Sequence, residues 1–183
     1  MKKILVGICM AFLLVTPVHA QDDQLQKMSN SELENTIAQS QRSQSSTSAW
    51  KAAAQLARNK GYPLTATIIE HALSHQQYTE VNGLFTKSIK QTSAYTKMRT
   101  STQGNIAFTK AMNADLYYAL YLCNYHRLSS SQGMRYVIMD HFDFNNEKTK
   151  LSALFKRISA NWSYLSTHSS GMSAIDIVIT IDG

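Results

Sequence analysis

Cysteine, proline and clustered charge are all scarce in this 183-residue chain, and each scarcity removes a class of protein. There are two cysteines, Cys9 and Cys123, and two prolines, Pro17 and Pro63. Cys9 falls inside an N-terminal apolar run, which leaves one cysteine for the folded part and excludes an internal disulfide. Cys123 is then either an unpaired reactive or dimer-forming thiol or a small buried residue. Its place in an alternating apolar segment favours burial. The charges are spread without a run of five or six of one sign, which argues against a dedicated nucleic-acid arm. Beyond the N-terminal run no apolar stretch approaches ~18 residues, so no transmembrane anchor is expected in the mature chain. A Gly-rich phosphate loop, a Gly-x-Ser-x-Gly elbow, a cysteine-hydrolase signature around Cys123 and internal repeats are also missing.

What is there begins with an address. Lys2 and Lys3 form a basic tip, and Ile4 to Val15 form an apolar run of about a dozen residues. Val18 and Ala20 then place small residues where a signal peptidase reads them. Residues 1–20 are therefore expected to be a secretory signal peptide, with the mature protein periplasmic or secreted. Cys9 sits in the middle of the apolar run, not at its end, which argues against a lipoprotein anchor. Loss of Lys2 and Lys3 leaves 16 basic against 12 acidic residues, a net charge of +4. Such a mild bias permits attraction to anionic envelope material without demanding it.

The remaining 163 residues suit one domain, 47–183, preceded by a polar extension, 21–46, with a short helix. Residues 21–29 look loose. Ser31-x-x-Glu34 has the form of a capping box opening a weakly packed helix to about Gln41. Thr47 or Ser48 begins a helix with Trp50, Ala53, Ala54, Leu56 and Ala57 on one face, stopped by Gly61. Pro63 suits the first turn of the next, with Leu64, Ile68, Ile69, Ala72 and Leu73 buried. A third helix is expected over Thr79–Lys90, although Gly83 opposes it. Strands follow over Asn105–Lys110, Leu116–Arg127 and Met134–His141, the last two forming a hairpin about a turn at Ser129–Gly133. Leu151, Leu154, Phe155, Ile158, Trp162 and Leu165 then predict an amphipathic helix over Lys148–Ser166. Four isoleucines on one side of Ile175–Ile181 predict a closing strand paired on both edges. The expected fold class is α+β, with N-terminal helices packed on a mainly antiparallel sheet of about four strands.

The densest polar cluster is Asp140-His141-Phe142-Asp143-Phe144-Asn145, at the end of the second hairpin strand. Alternation puts Asp140 and Phe142 on one side and His141 and Asp143 on the other. His141 and Asp143 together suit proton transfer or, with Asn145, a divalent cation. The competing reading is that these residues cap a helix and make turns. His71 and His75 have helical zinc spacing but no His-Glu-x-x-His pattern, which favours two surface histidines. Asp115 suits a turn. Tyr117, Tyr121 and Tyr125 suit either an aromatic stripe for sugars or peptides or ordinary strand packing.

Asp140-x-Phe142-Asp143-Phe144 resembles the Asp-x-Tyr-Asp-Phe signature of the colicin M family and related C-terminal toxin modules, over roughly residues 104–183. The resemblance implies cleavage of the lipid-linked peptidoglycan precursor between lipid and pyrophosphate, with Asp140 and Asp143 as the essential carboxylates. Phe142 stands where that family has tyrosine. Thr149 and Lys150 stand where it has a His-Arg pair, so either His141 or His126 replaces the histidine, or the fold is kept and the activity lost, the reading these departures favour. Two functions follow. One is a divergent colicin M-like envelope toxin or hydrolase, with Asp143, Asp140 and His141 catalytic. The other is a non-catalytic exported binding protein, such as an immunity factor, whose partner is an envelope component or another protein. The residues assign no particular cofactor or metal, and the divalent-cation alternative at His141, Asp143 and Asn145 stays open.

Overall fold

The computed structural model describes residues 18–131, 133–144 and 150–183. The apolar run with Cys9, and Gln132, Asn145 and Thr149, lie outside the described residues.

Helices α1 (Val18–Lys27), α2 (Asn30–Ser43), α3 (Ser46–Asn59) and α4 (Pro63–Leu73) build the first half. The expected loose segment is helical instead. Leu25 of α1 is buried, and Asp22 meets Lys51 at 2.8 Å. The capping box of α2 lies two residues earlier than expected. The Ser29 hydroxyl accepts from the Glu32 N–H, and the Glu32 carboxylate accepts from the Ser29 N–H at 2.7 Å. Glu34 is released for another task, described below. The helix is also better packed than its few apolar residues suggest, because Leu33 and Ile37 are both fully buried in the common core.

Helix α3 is alanine-rich and lies deep, with Ala49, Ala52, Ala53, Ala54, Leu56 and Ala57 fully buried. Small side chains let neighbouring backbones approach closely. Its end is a Schellman motif: the Tyr62 N–H donates to the Ala57 carbonyl and the Gly61 N–H to Arg58. Gly61 takes φ +89°, where a β-carbon is costly. Arg58 then grips Glu70 of α4 with both guanidinium nitrogens, at 2.6 and 2.9 Å. Pro63 opens α4 at a position that needs no donor.

The expected third helix is divided into strand β1 (Tyr78–Val81) and helix α5 (Leu84–Lys90). Asn82 turns left-handed at φ 53°, and a β-carbon on Gly83 would come 2.4 Å from the Glu80 carboxylate. That carboxylate accepts from the Phe85 and Thr86 N–H groups and so begins α5. Helix α6 (Ser93–Arg99) leads to β2 (Gln103–Ala107), a strand that starts two residues before expectation.

The expected strand over 116–127 is likewise divided, into α7 (Ala114–Ala119) and β3 (Leu122–Ser130). Leu116, Ala119 and Leu120 bury at helical spacing, and the Asn113 side chain caps the Leu116 N–H. Short apolar runs fit both periods, and the Asn113 cap decides for helix. Strand β4 (Gly133–Phe142) completes the hairpin. The expected long helix is broken into α8 (Leu151–Ile158) and α9 (Trp162–Thr167). Glu34 holds the break: it accepts from the Ser159 hydroxyl, the Ala160 N–H and, at 2.7 Å, the Asn161 amide. Strand β5 (Ile175–Asp182) closes the chain.

The fold is α+β. The sheet has five strands in the order β1-β5-β4-β3-β2, with β1 parallel to β5 and every other pair antiparallel. The fifth strand, β1, is the one concealed in the expected third helix. β5 is paired on both edges as its isoleucines require, and Ile175, Ile177, Ile179 and Ile181 are each at most 1% exposed. Burying each contributes on the order of 2 kcal/mol. The helices cover this inner face. On the outer face every outward residue of the five strands whose side chain is described is exposed or half-buried.

Candidate functional site

The end of β4 carries the predicted residues, and the pleat separates them. Asp140 follows Tyr136 and Ile138 on the inner face, half-buried, with Ile177 of β5 as its register partner. Its carboxylate accepts from the His141 backbone N–H at 2.9 Å. Burial outweighs that bond and raises its pKa to about 6. Cys123 is 2% exposed, and burial together with the Asp140 charge pushes its thiol well above the ordinary range. The buried reading of Cys123 therefore holds, and its thiolate is suppressed.

His141 points the other way. Its Nδ1 lies 2.7 Å from Oδ1 of Asp176, the register partner on β5, on the exposed outer face. The hydrogen bond to Asp176 raises the imidazole pKa, with the charges of Asp176, Asp143 and Asp140 adding to it. Asp143 lies half-buried just past the strand. His126 is exposed on the outer face of β3, opposite Val137. Neither histidine shares a face with Asp140, so the sheet backbone stands between the raised carboxylate and both bases. Phe142 is buried, with its ring edge-on to Phe144 at 4.8 Å, and Phe144 meets Trp50 at 5.8 Å. The position matching the family's tyrosine therefore serves the core.

Other expected constellations are also rearranged. α4 ends at Leu73, so His75 leaves helical geometry with φ 54° and bonds Ser173, while His71 bonds the Gln77 carbonyl. Among the described residues no group of three His, Cys, Asp or Glu side chains is placed to hold a metal. Asp115 is no simple turn residue: it accepts from the Leu64 N–H, the Thr65 N–H and the Thr65 hydroxyl at 2.7–2.9 Å, capping α4 from 50 residues away. Tyr117 and Tyr121 meet at 5.5 Å, but Tyr125 is buried against the inner face, which breaks the expected stripe.

The outer face is where sequence reasoning missed most. Cross-strand rows run Asn105–Asn124–Met139–Val178–Thr79 and Gln103–His126–Val137–Thr180–Val81, with Leu128–Arg135–Asp182 beyond. Val81, Leu122, Leu128 and Met139 are 61%, 43%, 53% and 37% exposed. Strand alternation marks each as outward, but only the pairing order reveals that they share one uncovered surface. No protein-family model matches the chain, and no curated protein or solved structure is significantly similar to it.

Proposed function

We propose that the protein is exported and acts without catalysis, by holding a protein partner on the outer face of its sheet. The observation that carries this reading is that one uncovered, five-stranded face exposes Val81, Leu122, Leu128 and Met139 together. Exposed apolar residues scattered singly are ordinary, but on this face Met139 stands beside Val178 and two residues from Val137, so the apolar area there is continuous. Between them stand Asn105, Asn124, His126, His141, Asp176 and the Arg135–Asp182 ion pair. Apolar contact area with dispersed polar groups is the composition of a protein interface. An immunity-type role in the envelope fits this description. In the test, tagged protein captures its partner from an envelope extract of the producing cells. Saturable capture, lost in Met139→Lys with Leu128→Lys at unchanged melting temperature, supports the reading; capture that survives both changes, or no saturable capture, rejects it.

One observation favours a second reading, a hydrolase acting on lipid-linked peptidoglycan precursor. Asp140, at a position the colicin M resemblance makes essential, carries a pKa of about 6, close to the operating pH of a general acid. Release of a pyrophosphoryl fragment from purified precursor by the parent, and none by Asp140→Asn or Asp143→Ala, supports it. No release by the parent removes it.

A further inference from the structure

On the helical side of the molecule, four tyrosines and three cations form one connected cluster. Tyr62 precedes α4, Tyr117 and Tyr118 lie on α7, and Tyr121 joins α7 to β3. The rings meet edge-on in series: Tyr62 to Tyr118 at 5.3 Å, Tyr118 to Tyr117 at 5.2 Å, and Tyr117 to Tyr121 at 5.5 Å. Lys110 Nζ stands 5.4 Å from the ring centres of both Tyr117 and Tyr118. Lys150 Nζ stands 4.4 Å from that of Tyr121, and the Arg157 guanidinium 5.5 Å from that of Tyr62, whose hydroxyl it also bonds. Among the described residues, none of the ion pairs involves Lys110, Lys150 or Arg157.

A ring face positions a cation without neutralising it, because the quadrupole attracts the charge but supplies no counter-charge. The cluster thus presents three oriented positive charges beside Tyr62, Tyr117 and Tyr121, all half-exposed. Tyr121 holds φ 48°, a left-handed conformation that an aromatic residue rarely adopts and that sets its ring against Tyr117 and under Lys150. A cavity of about 540 Å³ opens beside Tyr62, lined also by Lys87, Ser88, Asn113 and Asp115, whose carboxylate is already taken up by the Leu64 and Thr65 N–H groups. Half-exposed aromatic rings offer flat apolar contact to the C–H faces of sugar rings, and the cations suit repeated carboxylates.

We infer that this cluster is a binding site for an anionic polysaccharide. It draws on helices and their junctions, not on the outer strand face, so its failure and the failure of the protein-partner reading are separate results. The test is calorimetric titration of the mature protein with sodium alginate, with neutral dextran as control. The expected result is saturable alginate binding that weakens with salt, and none to dextran. Lys110→Gln, Lys150→Gln and Arg157→Gln combined should weaken binding at least tenfold and flatten the salt dependence. Tyr121→Gly, which removes the ring and suits the backbone, should weaken it as well, with melting temperatures recorded for both variants. Millimolar glucose 6-phosphate, a single sugar anion, should leave the complex intact. Equal binding to dextran, no saturable binding to alginate, parental affinity in the triple variant, or full displacement by glucose 6-phosphate would each overturn the assignment.

Discussion

Two carboxylates, Asp115 in the helical half and Asp140 at the end of β4, both turn toward the interior and meet very different company. Asp115 accepts two backbone N–H groups and a hydroxyl at the start of α4, whereas Asp140 accepts the neighbouring His141 N–H. Burial raises the pKa of both. Acids elsewhere in the chain serve as caps: Asp115 begins α4 from α7, Glu80 at the end of β1 begins the neighbouring α5, and Glu34 secures the α8–α9 break. The sheet end has no such use for Asp140. A half-buried acid with few partners marks either stability given up or chemistry retained.

The largest expected effect tests the capping side of that contrast. Asp115→Ala strands the Leu64 and Thr65 N–H groups in a buried setting and should cost about 2–3 kcal/mol, a fall in Tm of roughly 5–10 °C. Asp140→Asn should do the reverse. A carboxyl whose pKa rises on folding binds its proton more tightly in the native state, so parental stability declines as pH climbs from about 4 through about 6. Removing the charge should therefore stabilise the protein by about 1–2 kcal/mol at pH 7 and by nothing below pH 4. Urea unfolding at both pH values measures it, and destabilisation at pH 7 would give Asp140 a structural partner.

Smaller effects sharpen the picture. Gly61→Ala meets no atom within 4 Å, so only its left-handed backbone resists, at about 1 kcal/mol. The His141–Asp176 pair is exposed and should contribute under ~1 kcal/mol. Its sign is fixed by the raised imidazole: the contribution is full below the unfolded pKa and disappears as pH rises through the folded one. In NMR titration, Asp176→Asn should lower the His141 pKa far more than Asp140→Asn does. The opposite ranking would place Asp140 on the outer face.

The parts of the fold legible in the sequence are those where one period dominates. The isoleucines of β5, the hairpin, and helices α3 and α4 between Ser46 and Leu73 were all readable from spacing, turns and Gly61 or Pro63. Boundaries failed where distant partners decide them. β1 hides in a helical pattern because its reason for being extended is β5, about a hundred residues away. The 148–166 helix breaks because Glu34 binds Ser159 and Asn161. At the candidate site, alternation correctly put Asp140 and His141 on opposite sides. That Asp176 would claim His141 depends on a cross-strand register that no local pattern encodes.

Site-specific photo-crosslinking in producing cells tests the central claim most directly, with the crosslinker replacing either Met139 on the outer sheet face or Ser163, exposed on α9. The account predicts a discrete protein adduct from position 139 and none from 163. An adduct from 163 alone would contradict it and move the working surface to the helices.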